Sequence, residues 1–211
     1  MINFLYKIIR ILLYPIILLA DFLQNNLTSK FTPMNMGPVS EDSYSSYIKN
    51  NINKKYYVLD FGSGAGYFSS LFNPKKYLGV EINKNFVNFS RKNKPNYKFR
   101  ILKNNYLQNF EKKINLIFIN NVLHHLTDKQ ISETFLFFKK KLNRKTKVFI
   151  IEPLFPKTFP SLEFFLKVLD IGNNIKTKKN YLKLFKRLFK IENYNVRKVG
   201  IGSVLIIKGH I

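Results

Sequence analysis

From Tyr56 onward, the sequence alternates short apolar segments with longer amphipathic ones, and this rhythm limits the folds open to the chain. The predicted strands are Tyr56–Phe61, Tyr77–Ile82, Tyr97–Leu102, Leu116–Asn120 and Lys147–Glu152. Helices are predicted between them near Gly66–Phe72, Asn83–Lys92 and Asp128–Leu142, the last of them capped by Asp128. Strands that alternate with helices predict an α/β fold, in which a parallel sheet carries helices on both faces.

The pattern changes after Pro153. A Phe-rich stretch, Phe155–Leu169, leads to a basic helix that is predicted over Asn180–Lys190. Two further strands are predicted at Tyr194–Val199 and Val204–Lys208. The sequence contains no internal repeat and no linker long enough to separate two domains, so we expect one domain with an appendage.

The N-terminal residues form an apolar stretch of their own. Met1–Leu13 follows helical spacing, and Pro15 allows a second helix to begin that extends to about Leu27. The longest uninterrupted apolar run, Ile11–Ala20, is shorter than the roughly 20 residues that a membrane span needs. Leu18 does not fit the small-residue pattern of a signal-peptide cleavage site, which leaves a helix on an anionic membrane surface as one interpretation of Met1–Leu13.

The formal net charge of +24 is typical of proteins that bind nucleic acid or anionic membranes. All but six of the 36 basic residues are lysine, however, and Asn, Ile and Phe are also frequent, as AT-rich codon usage would produce. A surface selected to bind phosphate favours arginine, whose planar group donates paired hydrogen bonds. We therefore interpret most of the charge as compositional. The absence of cysteine excludes disulfides, Cys-ligated zinc and iron–sulfur clusters, and a Cys nucleophile.

A glycine-rich turn carries the most specific signal in the chain. Gly62, Gly64 and Gly66 follow the first predicted strand, where glycine permits positive φ and a close approach of backbone N–H groups to a ligand. Tyr67 stands at the sixth position, so the turn departs from the Gly-x-Gly-x-x-Gly pattern of dinucleotide-binding proteins. What remains is Gly-x-Gly-x-Gly, preceded two positions earlier by Asp60.

This turn, together with two later features, resembles a known family. Glu81 ends the second predicted strand, 21 positions after Asp60, and the fourth strand leads into Asn120-Asn121-Val122-Leu123-His124-His125-Leu126. In combination, the glycine motif, the acidic residue and the Leu-His-His segment resemble the class I methyltransferases that use S-adenosylmethionine, in particular those that act on small molecules. The resemblance implies a Rossmann-like, mostly parallel, seven-stranded sheet with helices on both faces, an antiparallel last strand and an N-terminal helical extension.

The resemblance also implies a set of residues that contact S-adenosylmethionine, the methyl donor. Glu81 would accept hydrogen bonds from the ribose hydroxyls, and Asn104 or Asn105 would contact adenine where the family more often has Asp. Asn115 is a second departure, because many relatives have Asp there. The full set of implied cofactor contacts is Asp60, Phe61, Gly62, Ser63, Gly64, Gly66, Glu81, Ile82, Asn104, Asn105 and Asn120.

Candidates on the acceptor side are fewer. The favoured role of His124 and His125 is a helix-start cap or a cofactor contact. Either one is also a candidate general base for a hydroxyl acceptor, because the ordinary pKa of histidine lies near neutrality. Two adjacent histidines cannot face one metal site from a helix or a strand, and no metal is expected. Glu152 and Tyr181 are predicted to contact the acceptor, although Glu152 is equally suited to an ion pair with a lysine.

The resemblance divides the chain into residues 1–50, a helical extension whose second helix covers the cofactor, and residues 51–211, the methyltransferase domain with an acceptor-shaping insert at about 153–180. We expect a cytoplasmic enzyme, peripheral on the inner face of a membrane, whose small-molecule acceptor is a lipid or a sugar intermediate. One alternative is an RNA methyltransferase, but the Asn/Asp-Pro-Pro-aromatic motif is absent after the fourth strand. The other is an inactive scaffold that keeps the fold.

Overall fold

A computed structural model describes residues 8–9, 11–16, 41–103, 113–155, 174–199 and 202–211 of the chain. The predictions for the helix that extends to Leu27, for Asn104 and Asn105, and for most of the insert between residues 153 and 180 lie outside the described residues. The remainder contains all seven strands, so the topology of the predicted sheet can be compared strand by strand.

The described residues form a seven-stranded mixed sheet. Its strands are β1 (Val58–Phe61), β2 (Tyr77–Glu81), β3 (Lys98–Ile101), β4 (Leu116–Asn120), β5 (Lys147–Pro153), β6 (Lys190–Val199) and β7 (Gly202–His210). They are arranged in the order β3-β2-β1-β4-β5-β7-β6, and β1 to β5 are all parallel. Strand β7 is antiparallel to both of its neighbours, β5 and β6. The predicted Rossmann-like sheet with an antiparallel last strand is therefore confirmed.

Helices pack on both faces of this sheet. Their bounds are α1 (Glu41–Asn51), α2 (Lys84–Asn93), α3 (Asp128–Lys141) and α4 (Lys178–Leu188), with short 3-10 helices at Tyr67–Leu71, Pro74–Lys76 and Leu123–His125. The core on one face joins the sheet to α3 and α4, through side chains such as Phe135 and Phe185. The core on the other face contains Ile48 of α1 and Val87 of α2. Strands β1, β2, β4 and β5 are therefore largely buried between the two layers, whereas edge strand β6 is mostly exposed.

The strand order places a crevice at the carboxyl ends of β1 and β4. The chain turns from β1 toward β2 on one side, whereas β4 and β5 continue the sheet on the other. Ligands of open α/β sheets bind where the strand order reverses in this way, outside the carboxyl ends of the strands. The residues that follow β1 and β4, namely the glycine turn and the segment Asn121–His125, therefore lie at the expected binding edge.

Local structure departs from the predictions at several helix ends. Thr127, and not the predicted Asp128, is the N-cap of α3, because the Thr127 side chain and Gln130 form a reciprocal capping box. The predicted helix at Gly66–Phe72 is only a short 3-10 helix. The polar stretch that precedes β1 forms α1, in which Ile48 is buried, and Ile52, directly after the helix, is buried as well.

The C-terminal elements are shifted or longer than predicted. Helix α4 begins at Lys178 because Thr177 caps it, and it ends before Lys190, where β6 begins. The polar start of β6 shows no apolar alternation, yet its backbone pairs with β7 up to His210 across an irregularity at Glu192. None of the helices in the ranges that the structure describes is both long and apolar enough to cross a membrane.

Candidate cofactor and acceptor site

The glycine turn after β1 has the conformation that its sequence predicts. Gly62, Gly64 and Gly66 have φ values of 76°, 51° and 75°, all in the region that favours glycine. The backbone N–H groups of Gly62 and Ser63 both donate to the carbonyl oxygen of Val80, at 2.8 and 3.0 Å. These two hydrogen bonds fasten the turn to the end of β2, so the loop is anchored by the sheet itself.

The three glycines have different surroundings. A Cβ atom on Gly62 would lie 2.4 Å from Val122 Cγ2, and one on Gly66 would lie 2.7 Å from Cζ of Phe99. A Cβ atom on Gly64 would meet nothing within 4 Å. Gly62 and Gly66 are therefore required by internal packing as well as by φ, whereas Gly64 exposes its backbone to open space, where a ligand can approach it.

Glu81 connects the end of β2 to this turn. Its Oε2 accepts a hydrogen bond from the N–H of Gly64 at 3.0 Å, and its Oε1 accepts one from the N–H of Asn83 at 2.9 Å. The residue is only partly buried, and each carboxylate oxygen has a second lone pair, so both oxygens can accept another donor. The next residue, Ile82, is 75% exposed, which places a large apolar side chain beside this carboxylate.

Asp60 lies below the turn and not at its surface. Its side chain is buried and accepts a hydrogen bond from the hydroxyl of Tyr77 at 2.5 Å. Burial raises the pKa of Asp60 to about 7, and burial together with the adjacent carboxylate also raises the pKa of the Tyr77 hydroxyl. Asp60 thus joins β1 to β2 through the Tyr77 hydroxyl, and direct contact with a cofactor stays a prediction.

Two predicted residues place a buried oxygen at the same edge. Ser63 Oγ and Asn120 Oδ1 are buried and have no hydrogen-bond partner among the described residues. Phe61, by contrast, is a core residue at the end of β1. Because a buried polar atom is costly without a partner, Ser63 and Asn120 are positions where a bound ligand could supply one.

A second carboxylate organises the segment that follows β4. Glu152, near the end of β5, is fully buried. Its Oε1 accepts the N–H groups of Val122 and Leu123 at 2.9 and 2.6 Å. Its Oε2 accepts the N–H and the Nδ1 of His124 at 3.2 and 2.8 Å. One side chain therefore fixes three consecutive backbone groups and one imidazole ring.

The two adjacent histidines differ in environment. His124 is buried against Glu152, whereas His125 is exposed, and their ring centroids lie 4.2 Å apart. Because Glu152 acts as the acceptor toward Nδ1, the proton of a neutral His124 ring resides on Nδ1 and leaves Nε2 as its basic nitrogen. The hydrogen bond to Glu152 thus fixes the tautomer of His124, as a general base needs.

Residues near the end of the predicted insert are attached to the same segment, which the sequence analysis did not predict. The N–H of Asn174 donates to the carbonyl oxygen of His124 at 2.8 Å. The ammonium group of Lys176 lies 3.1 Å from a carboxylate oxygen of Asp128 and also donates to the carbonyl oxygen of Asn174. Because these contacts join residues about 50 positions apart and use mainly backbone groups, no side-chain pattern in the sequence indicates them.

The predicted acceptor contacts lie deeper than expected. Glu152 and Tyr181 are both completely buried, and Tyr181 stacks on Phe185 in the core. His124 is buried as well, so in this conformation none of the three side chains is accessible from the surface, and contact of each with an acceptor stays a prediction. Within the described ranges, no three His, Asp or Glu side chains are grouped closely enough to hold a metal ion.

Sequence comparison agrees with this geometry. The sequence model of the methyltransferase domain family matches residues 52–192, which is more than half of the chain. The chain belongs to this family, and its fold and glycine turn are those of a class I S-adenosylmethionine-dependent methyltransferase. No curated protein sequence matches the chain.

Solved structures show the same fold in proteins of low identity. The TehB-like SAM-dependent methyltransferase of Corynebacterium glutamicum has a TM-score of 0.62 and 14% identity, over 89% of this chain and 97% of that one. The PH0226 protein of Pyrococcus horikoshii has a TM-score of 0.60 and 19% identity, over 85% and 96%.

A third similar structure belongs to a longer chain. Mitomycin 7-O-methyltransferase MmcR has a TM-score of 0.61 and 14% identity, over 80% of this chain and 53% of that one. The chain spans about half the length of this enzyme and of human N-acetylserotonin methyltransferase. At such identities the likeness establishes the fold, and the acceptor has to be argued from the site itself.

Proposed function

We propose that this enzyme transfers a methyl group from S-adenosylmethionine to a hydroxyl group of a small molecule. The observation that carries the proposal is the pairing of Gly64 with Glu81. The backbone at Gly64 opens to free space, and its N–H is held by a carboxylate whose two oxygens can each accept another donor. A glycine turn with an adjacent acidic acceptor is the arrangement that binds a ribose next to a close-packed backbone.

The described residues fit S-adenosylmethionine well. Glu81 would accept hydrogen bonds from the ribose hydroxyls, and the exposed Ile82 would cover a face of the adenine ring. Asn120 Oδ1 would accept a hydrogen bond from an amino group of S-adenosylmethionine. S-adenosylmethionine supplies a methyl group on a positively charged sulfur, which is already an activated leaving group. The protein therefore has to align the acceptor and exclude water, which is a proximity effect.

His124 is the residue that we propose as general base. With S-adenosylmethionine bound as the methyl donor, Nε2 of His124 would take the proton of the acceptor hydroxyl as its oxygen receives the methyl group. Glu152 stabilises the resulting imidazolium through Nδ1, since its carboxylate is 2.8 Å away. The exposed His125, adjacent in sequence, serves as the comparison for this scheme.

Calorimetric titration with S-adenosylmethionine and with its demethylated product tests the cofactor site. We expect micromolar binding that Gly64→Arg abolishes, because the added side chain enters the open space beside the turn and requires an unfavourable φ. Ser46→Arg, which adds the same charge on the exposed surface of α1, should leave binding unchanged. Absence of binding to a protein that circular dichroism shows to be folded would favour an inactive scaffold.

The proposed base is tested on a panel of hydroxylated small molecules, with formation of the demethylated product as the readout. For any acceptor found, His124→Gln should reduce the rate by about 10²- to 10⁴-fold with little change in cofactor affinity. His125→Gln should retain most of the rate. Equal losses in both variants would contradict the assignment of the base to His124.

The finer identity of the acceptor is part of the same proposal. We propose a lipid or a sugar intermediate that is handled at the inner, cytoplasmic face of a membrane. The support is the apolar N-terminal stretch and the Phe-rich sequence between Phe155 and Leu169. Lipid-linked acceptors should accordingly outperform water-soluble analogues in the panel.

A further inference from the structure

The N-terminal part of the chain presents an unusual amount of apolar surface. Residues 8–9, 11–12 and 14–16 are helical, and the N–H of Leu13 donates to the carbonyl oxygen of Ile9 at 2.9 Å. The large apolar side chains that are exposed here are Ile8 at 39%, Ile11 at 73%, Leu12 at 73%, Tyr14 at 57% and Ile16 at 55%. Five such residues within nine positions form a continuous patch, which we call the N-terminal apolar patch.

The spacing of this patch is that of a buried helix face. Ile8, Ile11 and Leu12 stand at i, i+3 and i+4, and Ile16 follows at i+8, so they share one side of the helical segment. Ile9 and Leu13 lie on another side and are already half-buried. Several large apolar side chains exposed together on one side of a helical segment are typical of a surface that binds a partner.

The net charge of the protein favours an anionic bilayer over a second copy of the chain as the partner of this patch. With a formal net charge of +24, two copies of the chain repel each other, whereas an anionic bilayer attracts it. Lys7 and Arg10 lie within the same stretch of sequence, where basic residues favour anionic lipid headgroups. We propose that the N-terminal apolar patch inserts in the plane of an anionic lipid bilayer surface and holds the enzyme there.

This attachment would bring the methyltransferase to acceptors that are dissolved in the bilayer, and to that extent it rests on the proposed function. Binding combines two contributions, insertion of apolar side chains and attraction of basic residues to anionic headgroups. Both are needed for stable attachment, since a patch of this size is shorter than a membrane span. Removal of either contribution should therefore release the protein.

Cosedimentation of the full chain with vesicles tests the proposal. Vesicles of phosphatidylcholine alone are compared with vesicles that also contain phosphatidylglycerol. The variant Ile11→Ser/Leu12→Ser removes two side chains of the patch, and we expect at least tenfold weaker binding to the anionic vesicles. The matched control is Tyr194→Ser/Val196→Ser, which removes two side chains of β6 that are 44% and 45% exposed and should bind as the unaltered protein does.

Three outcomes would overturn the proposal. Unchanged binding of Ile11→Ser/Leu12→Ser, with loss of binding only in high salt, would assign the interaction to lysine charge alone. Concentration-dependent self-association that this variant abolishes, without vesicle binding, would identify a second copy of the chain as the partner. No vesicle binding by the unaltered protein would also reject it. Calorimetry with S-adenosylmethionine on each variant separates these results from a failure of the proposed methyl transfer.

Discussion

Two glutamates occupy corresponding places at the binding edge and have opposite characters. Glu81 ends β2 and accepts one N–H from the turn after β1, while Glu152 lies near the end of β5 and accepts three from the segment after β4. Glu81 is partly exposed, and each of its oxygens has one hydrogen bond to protein. Glu152 is completely buried, and its oxygens accept four hydrogen bonds in total.

The difference indicates how glutamate side chains at strand ends serve two purposes, binding a ligand and holding a loop. A carboxylate with spare acceptor capacity at a surface is suited to a ligand, whereas one saturated by backbone N–H groups is suited to hold a loop. Sequence position does not distinguish them, because both follow an apolar strand at its carboxyl end. We therefore expect substitution of Glu152 to affect folding first and substitution of Glu81 to affect ligand binding first.

The largest expected effect is that of Glu152→Ala. Loss of this buried carboxylate leaves the N–H groups of Val122, Leu123 and His124 without an acceptor, which should lower the free energy of unfolding by about 3–5 kcal/mol. Denaturant unfolding measures this loss. Glu192→Ala is the control, since Glu192 is 48% exposed in its pair with His210 and should change stability by under about 1 kcal/mol. A similar loss of unfolding free energy in both variants would contradict the structural role assigned to Glu152.

A smaller effect, on binding and not on stability, is expected for Glu81→Gln. Replacing the charged acceptor should weaken S-adenosylmethionine binding by about 2 kcal/mol, or roughly thirtyfold, because hydrogen bonds to a charged group are the stronger ones. Calorimetry gives the affinity, and unfolding of the same sample should show little change. Glu133→Gln, at an exposed carboxylate on α3, controls for the loss of one charge. Unchanged affinity would remove Glu81 from the cofactor site.

A third carboxylate, that of Asp60, is expected to make the stability of the protein depend on pH. Burial raises its pKa to about 7, so the folded state binds the proton more tightly than the unfolded state, where the ordinary value is 3.8. The stability that this proton contributes is complete below the ordinary pKa and is lost as the pH rises through about 7.

Asp60→Asn removes this titration while keeping an acceptor for the Tyr77 hydroxyl. Relative to the variant, the unaltered protein should lose about 1.4 kcal/mol of unfolding free energy between pH 5 and pH 6. Denaturant unfolding at a series of pH values measures the difference. The two curves should run parallel above pH 8, and parallel curves over the whole range would show that Asp60 does not bind a proton on folding.

Strands β1 to β5, the glycine turn and the position of Glu81 beside it could be predicted from the sequence, because each depends on residues that are close together in the chain. Apolar segments predict β1 to β5, and the positive φ values at Gly62, Gly64 and Gly66 follow from the glycines themselves. The spacing between Asp60 and Glu81 reflects one strand–helix–strand unit, so it places the second carboxylate beside the turn. These features depend on residues that are close in the chain.

The remaining features depend on distant contacts. The partners of Glu152 lie 28 to 30 positions earlier and are backbone groups, so no side-chain pattern indicates that this carboxylate is saturated. The start of β6 is polar, and its strand conformation comes from pairing with β7. At α3, Thr127 and Asp128 are both good capping residues, and the reciprocal bond with Gln130 decides between them.

The contact between Gly62 and Val122 joins the two halves of the site. Because a Cβ atom at Gly62 would lie 2.4 Å from Val122 Cγ2, the turn after β1 and the segment after β4 touch with no room between them. A side chain at residue 62 would therefore have to move Val122, and with it the segment that Glu152 holds by hydrogen bonds.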